Sequence, residues 1–362
     1  MTEVTIPVHA IKGRGTATRL AHRFEKDARA AYDDGWGTLE EAAADRAPVQ
    51  TEVVFEDARS AISRNDSPDI YFDYSVNPYR GCEHGCIYCY ARPTHSYLNL
   101  SPGLDFETKI IAKRNIAAML RADLAKRSYV PKLINIGSAT DCYQPVEREL
   151  RLTRGLIELM QELGHPLALV TKSSGVERDL DLLAPMAARH LAAVYVTITT
   201  LDGELARKLE PRAAAPHRRL RTIRALAEAG VPVGVSVAPQ IPFVNDDMEQ
   251  VLQAAFEAGA RTAFYTVVRL PWEVAPLFKQ WLELHYPQRA ARIMARIQEM
   301  RGGKDYDSDF ASRMKGSGLW ADLIKQRFEK ACHRLGLNRQ RTEPDFSQFR
   351  PPARPSAQGS LF

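Results

Sequence analysis

Cysteine is scarce in this chain: 362 residues hold only 5. A disulfide framework needs paired thiols and an oxidising compartment, and an odd count of so few residues argues against one. Residues 1–25 carry charges throughout and no apolar h-region, so no secretory signal is expected and the protein is expected in the cytoplasm. Long hydrophobic runs are missing too. The longest uncharged stretch, 229–245, is too short to cross a bilayer and contains Pro232, Pro239 and Pro242, so no membrane association is expected. Neither sign of charge dominates, with 49 Lys and Arg against 44 Asp and Glu, a net of +5. That balance permits a polyanionic partner without demanding one. What remains is an ordinary globular composition, 45% hydrophobic and 26% charged, with enough chain for a large core.

Three of the cysteines sit together, in Gly81-Cys82-Glu83-His84-Gly85-Cys86-Ile87-Tyr88-Cys89. The spacing is C-x3-C-x2-C. Three thiolates cannot complete a four-cysteine site, but they can hold three irons of a [4Fe–4S] cluster. The remaining iron is then open, and an open metal position is where a substrate or cofactor reacts. Gly81 and Gly85 let the chain wrap a bulky inorganic core. A zinc site is the rival reading. It usually takes four ligands in C-x2-C pairs, and here His84 would have to serve as an irregular fourth.

Residues 1–70 are polar and weakly periodic and read as an arm, with turns at Gly13-Arg14-Gly15 and Asp33-Asp34-Gly35. From residue 71 short apolar runs alternate with amphipathic helical patterns. Strands are expected at 71–77, 132–136, 167–171, 194–199, 231–238 and 262–268. Helices are expected at 115–126, 146–163, 177–189, 216–229 and 246–258. Six strands alternating with helices predict an α/β fold, a partial (β/α)6 barrel of parallel strands spanning 71–274, short of the eight units of a closed barrel. A helical C-terminal extension, 275–341, is expected to pack on the barrel. Its last helix should bury Leu323, Ile324, Phe328 and Leu335, and 342–362 read as a tail.

In such barrels functional residues gather at the C-terminal ends of the strands. Three strand ends deliver hydroxyls and charges to one mouth: 137–147 with Ser138, Thr140 and Asp141, 171–175 with Lys172 and Ser173, and 197–202 with Thr197 and Thr199. Each hydroxyl could equally cap a helix or suit a strand, and Lys172 could be a solvated lysine.

The cysteine run, with aromatic Tyr88 before Cys89, resembles the signature of the radical S-adenosylmethionine (radical SAM) superfamily. The runs 137–147, 171–173 and 232–242 look like its spore photoproduct lyase-like group, often labelled DNA repair photolyases, and 89–95 and 305–318 look like an uncharacterised bacterial subgroup. The resemblance implies cluster ligands Cys82, Cys86 and Cys89. It implies S-adenosylmethionine held by Tyr88, Ser138, Thr140, Asp141, Lys172, Ser173, Thr197 and Thr199, with Lys172 facing the carboxylate. It implies reductive cleavage to a 5′-deoxyadenosyl radical that takes hydrogen from a substrate, with a flavodoxin or ferredoxin as electron donor. The substrate is expected to be nucleic acid, for repair or modification. A peptide or small molecule, and a non-catalytic iron–sulfur or zinc scaffold, are the alternatives. The lyase returns a hydrogen atom from a cysteine beside the second strand. Ser138 aligns with that position, and Cys142 is the candidate substitute donor, against the common fate of a lone cysteine as a buried inert thiol.

Arg92 and His95, with Asp105 and Glu107, are candidate substrate groups or a loop salt-bridge network. The stretch Arg212, His217, Arg218, Arg219, Arg221 and Arg224 could meet phosphates or form a solvated face, with Glu210 pairing one arginine. Trp272 and Trp281 could stack a base or pack in the core.

Overall fold

The computed structural model describes residues 10–25, 50–340 and 342–353. Residues 1–9 and 26–49 of the expected arm and 354–362 of the expected tail lie outside the described residues. The strands are β1 (Glu52–Glu56), β2 (Ile62–Arg64), β3 (Tyr74–Val76), β4 (Tyr79–Arg80), β5 (Lys109–Lys113), β6 (Ile134–Ile136), β7 (Leu167–Thr171), β8 (Ala192–Thr197), β9 (Val233–Ser236) and β10 (Thr262–Phe264). They form a seven-stranded sheet in the order β10-β9-β8-β7-β6-β3-β2. The six strands β3 to β10 of this sheet are mutually parallel, and β2 adds antiparallel to β3. This is the α/β architecture of an open, partial barrel.

The alternation of side chains decides what faces the helices. Ile134, Ile136, Leu167, Leu169, Val194, Val196, Val233 and Val235 join one hydrophobic core with Leu156, Met160, Ile223, Leu226, Val251 and Leu252. Each such fully buried aliphatic side chain contributes about 1.5–3 kcal/mol over exposure. The intervening residues face the barrel interior, and one layer of them is small or polar: Ser75, Asn135, Ala168 and Ala193 stand in register across β3, β6, β7 and β8. The interior is therefore hollow.

Three local features depart from expectation. β8 begins and ends two residues earlier, so Thr199 lies beyond the strand. The helix expected over 146–163 breaks at Arg151, whose φ is 52°, into Glu147–Leu150 and Leu152–Leu163. A second sheet, β1-β5-β4, has no counterpart in the periodicity because β1 leaves Val54 and Phe55 exposed.

Segments after the last strand cover the open side. Asn338 pairs with both backbone groups of Ala263, acting as a one-residue strand on the edge of β10. Arg301 donates to the carbonyls of Val268, Ser312 and Arg313, tying 301–313 to the barrel. Arg313 then grips Asp69 with two 2.6 Å hydrogen bonds, bridging to the loop before β3. The helix Gly318–Leu335 buries Ile324, Phe328, Ala331 and Cys332, while Leu323 turns outward.

Candidate active site

The cysteine loop leaves β4 and is held from three sides. The Cys82 amide donates to Phe106 O at 2.9 Å, and that of Ile87 to Leu209 O at 3.1 Å. Gln144, from the loop after β6, accepts from the Glu83 amide and donates to Gly81 O. The Glu83 carboxylate accepts from Thr51 and the Val146 amide and lies 3.1 Å from Arg212.

Arg92 and His95 are corrections to the expected substrate groups. Arg92 is fully buried, donates to the carbonyls of Gly85, Cys86, Pro102 and Gly103, and pairs with Glu107 at 2.6 Å. It is the clamp of the cysteine loop. The His95 ring is enclosed against Phe106 and hydrogen-bonded to Lys109 O at 3.0 Å, and burial pushes its pKa down to about 4. Neither side chain reaches the cavity described below, because the loop that carries them turns inward under the cysteines.

The N-terminal segment takes part in this loop. The Glu107 carboxylate accepts from the amides of Gly15 and Thr16, the Thr16 hydroxyl and Arg92. A Cβ on Gly15 would lie 1.8 Å from Gly85 O, and Gly85 itself sits at φ +66° with Glu107 where its Cβ would be. Glycine at both positions is what lets two chain segments touch here.

At the strand ends a buried polar network meets the loop. Tyr88 donates its hydroxyl to Glu210, which also pairs with Arg219; Thr199 joins the same carboxylate. Burial works against the Glu210 carboxylate, but Arg219 and Lys172 hold its pKa below the usual value. Burial likewise works against the Lys172 ammonium, yet Cys86, Glu210 and Asp141 outweigh it and its pKa stands above the usual lysine value. Lys172 lies 6.0 Å from the Tyr88 ring centre. Asp141 accepts from Thr171 and from the backbone of Lys172 and Tyr143, with His84 Nδ1 3.3 Å away. Despite burial, these partners keep its carboxyl well below the ordinary range.

A cavity of about 900 Å³ runs from the cysteine loop into the barrel. Cys82, Cys86 and Cys89 all line it, with Tyr88, Ser138, Thr140, Asp141, Lys172 and Thr197. Besides Arg92 and His95, three expected residues lie off it. Ser173 caps the following 3-10 helix through the Gly175 amide. Thr199 belongs to the Tyr88–Glu210 network. Cys142 is a correction: it is fully buried in the hydrophobic core, 4.0 Å from Ile136 O, and burial raises its thiol well above the usual value. It is the inert thiol, not a donor facing the cavity.

The basic stretch divides in the same way. Arg218 pairs with Glu177 and Arg219 is buried, whereas His217, Arg221 and Arg224 are exposed. Trp281 is buried and Trp272 is 61% exposed at the cavity rim. Sequence reasoning missed Asn135, Tyr90, Tyr195, Arg269, Arg313 and Lys315, all of which line the cavity. For Asn135 there was a signal, a polar residue at an inward position between two isoleucines.

The three free thiols suit a polynuclear cluster. Among the described residues no three His, Cys, Asp or Glu side chains converge as a single ion requires. A cluster binds each cysteine through a different iron, so its ligands need to ring a volume and not a point. The glycine-tightened loop with three thiols on one cavity wall meets that need.

Comparison with known proteins agrees with this geometry. The sequence model described as the radical SAM superfamily matches residues 76–255. An uncharacterized protein of Mycobacterium tuberculosis is 35% identical over 253 residues, which is 68% of this chain and 74% of that protein. An uncharacterized protein of Methanocaldococcus jannaschii is 29% identical over 215 residues, 59% of this chain and 77% of that protein. Among solved structures, a mutant of spore photoproduct lyase superposes with a TM-score of 0.50 at 18% identity, covering 78% of each chain, which shows a shared fold.

Proposed function

The chain belongs to the radical SAM superfamily, and from that premise we propose an enzyme that takes a nucleic acid as substrate, with Cys82, Cys86 and Cys89 holding a [4Fe–4S] cluster. Among the described residues no helix is long and apolar enough to cross a membrane. When bound and given one electron by an external reductant, the cluster and S-adenosylmethionine would supply the radical chemistry that removes a hydrogen atom from the substrate. The residues of the chain bind, orient and enclose. Lys172, a cation just past the end of β7 on the cavity wall, would pair with the carboxylate of S-adenosylmethionine. Asp141 fixes the backbone of Lys172 and the His84 side of the loop. Ser138, Thr140 and Thr197 offer hydroxyls for the ribose and amino groups. Arg219 and Glu210 hold Tyr88 in place by two buried charge-assisted bonds.

The observation that carries the nucleic-acid reading is the cavity rim. Arg269 lies 4.5 Å over the Tyr90 ring, and Arg23 lies 4.6 Å over Trp272. Trp272 is held at φ 46°, a conformation that costs a non-glycine residue about 1–3 kcal/mol and is kept where a site needs it. Tyr90 and Trp272 are each about half exposed or more at this rim. Exposed aromatic faces with arginine beside them suit the bases and phosphates of a single strand. An acidic flavodoxin or ferredoxin is the electron donor in this reading.

The test is binding of a fluorescent single-stranded oligonucleotide across a salt series. A steep fall of affinity with salt is expected, and Arg269→Ala is expected to reduce the log–log slope by about one. Salt-independent binding, or none, contradicts a nucleic-acid substrate and favours a peptide or small molecule.

A further inference from the structure

The inner end of the cavity holds a polar group with no use in the fold. Asn135 sits in the middle of β6, is 1% exposed and lines the cavity. Its Oδ1 has no hydrogen-bond partner. Its register neighbours Ser75 and Ala168, with Ala193 one strand further on, are too small to fill the space across from it. A buried polar atom left unpaired costs about 1–3 kcal/mol, so its presence calls for an explanation. Leu or Val at this inward position would fit the strand and remove that cost.

The walls above Asn135 are aromatic. The ring centres of Tyr195 and Phe264 are 5.4 Å apart, and Tyr71 lies 6.4 Å from each. All three line the cavity. The Tyr195 ring crosses Gly234, where a Cβ would come within 2.4 Å of it, so glycine at 234 leaves this ring its place. The cavity, at about 900 Å³, is near the upper end of ligand pockets and has room for a second ring-sized group beside the cofactor. Its lining therefore joins a cluster of three aromatic rings, tilted 47–60° to one another, to one carboxamide, which carries a donor and an acceptor side by side. The two ends of an amide exchange by rotation about χ2, so either can be turned to the cavity.

We propose that Asn135 is a specificity-determining residue: its carboxamide hydrogen-bonds the edge of one unpaired nucleobase drawn into the barrel and packed against the cluster of Tyr195, Phe264 and Tyr71. The proposal rests on the nucleic-acid reading above. A duplex cannot enter the enclosed barrel, so the base must be single-stranded or extruded. Base edges carry adjacent donors and acceptors that asparagine matches in pairs, and one good pair discriminates by about 1–3 kcal/mol.

The experiment compares short fluorescent oligonucleotides, each built of one base, by anisotropy on the wild type, Asn135→Ala and Asn135→Leu. The wild type is expected to prefer one base by about tenfold or more. In both variants the preference is expected to fall to within about twofold, with the salt slope unchanged because the phosphates are held at the rim. Melting temperature is the second readout. Losing an unpaired amide leaves Asn135→Leu as stable as the wild type or more so, whereas a structural asparagine would be missed. Salt-dependent binding with no base preference, or a preference that survives both substitutions, overturns the inference while leaving the nucleic-acid reading intact. Failure of every oligonucleotide to bind overturns both.

Discussion

The Arg92 guanidinium lies 2.6 Å from the Glu107 carboxylate, with both side chains shut away from solvent, and the pair joins the cysteine loop to the N-terminal segment. Every remaining hydrogen bond of Arg92 goes to a carbonyl, two of them within the loop itself. Removing one partner of a buried ion pair costs about 3–5 kcal/mol because the other is left uncompensated. Arg92→Ala is therefore expected to lower the melting temperature by several degrees and to purify with little iron. Arg92→Lys, which keeps the charge and loses the planar fork, is expected to fall between. Melting curves with iron and sulfide assays check this.

Two glycines should respond in opposite directions to the same change. Gly15→Ala places a methyl 1.8 Å from Gly85 O, so the N-terminal segment must leave the loop. Gly155 lies inside the helix Leu152–Leu163, where a Cβ would come no closer than 3.9 Å to another group. Gly155→Ala is expected to add up to about 1 kcal/mol of stability, from helix propensity. Gly15→Ala is expected to lose stability and cluster. Urea unfolding of both variants decides it.

Lys172 is the cation at the end of β7 with no salt-bridge partner among the described residues within the cavity wall, held between Cys86, Glu210 and Asp141. A charge-assisted contact to a carboxylate contributes about 1.5–3 kcal/mol. Lys172→Ala is expected to weaken S-adenosylmethionine binding by about tenfold or more, as read by calorimetry on the reconstituted protein. Affinity unchanged in the variant removes Lys172 from the cofactor site.

His165 gives a pH signature remote from the cysteines. Its ring is enclosed with Tyr129 and Pro166 O as partners, and burial pushes its pKa down to about 4 from 6.5. A histidine with a depressed folded value binds its proton first in the unfolded chain. Its share of stability is therefore complete above pH 6.5 and is lost as pH falls towards 4. The loss approaches about 3 kcal/mol by pH 4. The free energy of unfolding of the wild type is expected to decline between pH 6.5 and 4.5, and that of His165→Gln to decline less steeply over the same window.

The barrel was legible because its strands obey one rule. Residues 167–171 and 262–264 are apolar on the helix side and preceded by helix-terminating glycines; the first falls where periodicity puts it, and the second begins there but stops four residues short of the expected 268. β1 was not legible because its Val54 and Phe55 face solvent and its partner, β5, is far along the chain. The cysteine ligand spacing is local, so three positions sufficed to suggest a cluster. Arg92 and His95 looked like substrate groups because sequence gives charge and place but not direction, and both turn inward. Glu210 and Arg219, nine residues apart, show the reverse: a pair offered by the sequence as one option among several arginines, fixed only when the helix Pro216–Glu228 returns to the mouth.

The most direct measurement is cofactor cleavage. The protein is reconstituted with iron and sulfide without oxygen, reduced with dithionite and given S-adenosylmethionine, and 5′-deoxyadenosine is quantified beside a Cys86→Ala control. Formation of 5′-deoxyadenosine in the wild type and its loss in Cys86→Ala is the predicted result. A wild type that carries its full iron and sulfide, binds S-adenosylmethionine and leaves it intact, with and without oligonucleotide, contradicts the account.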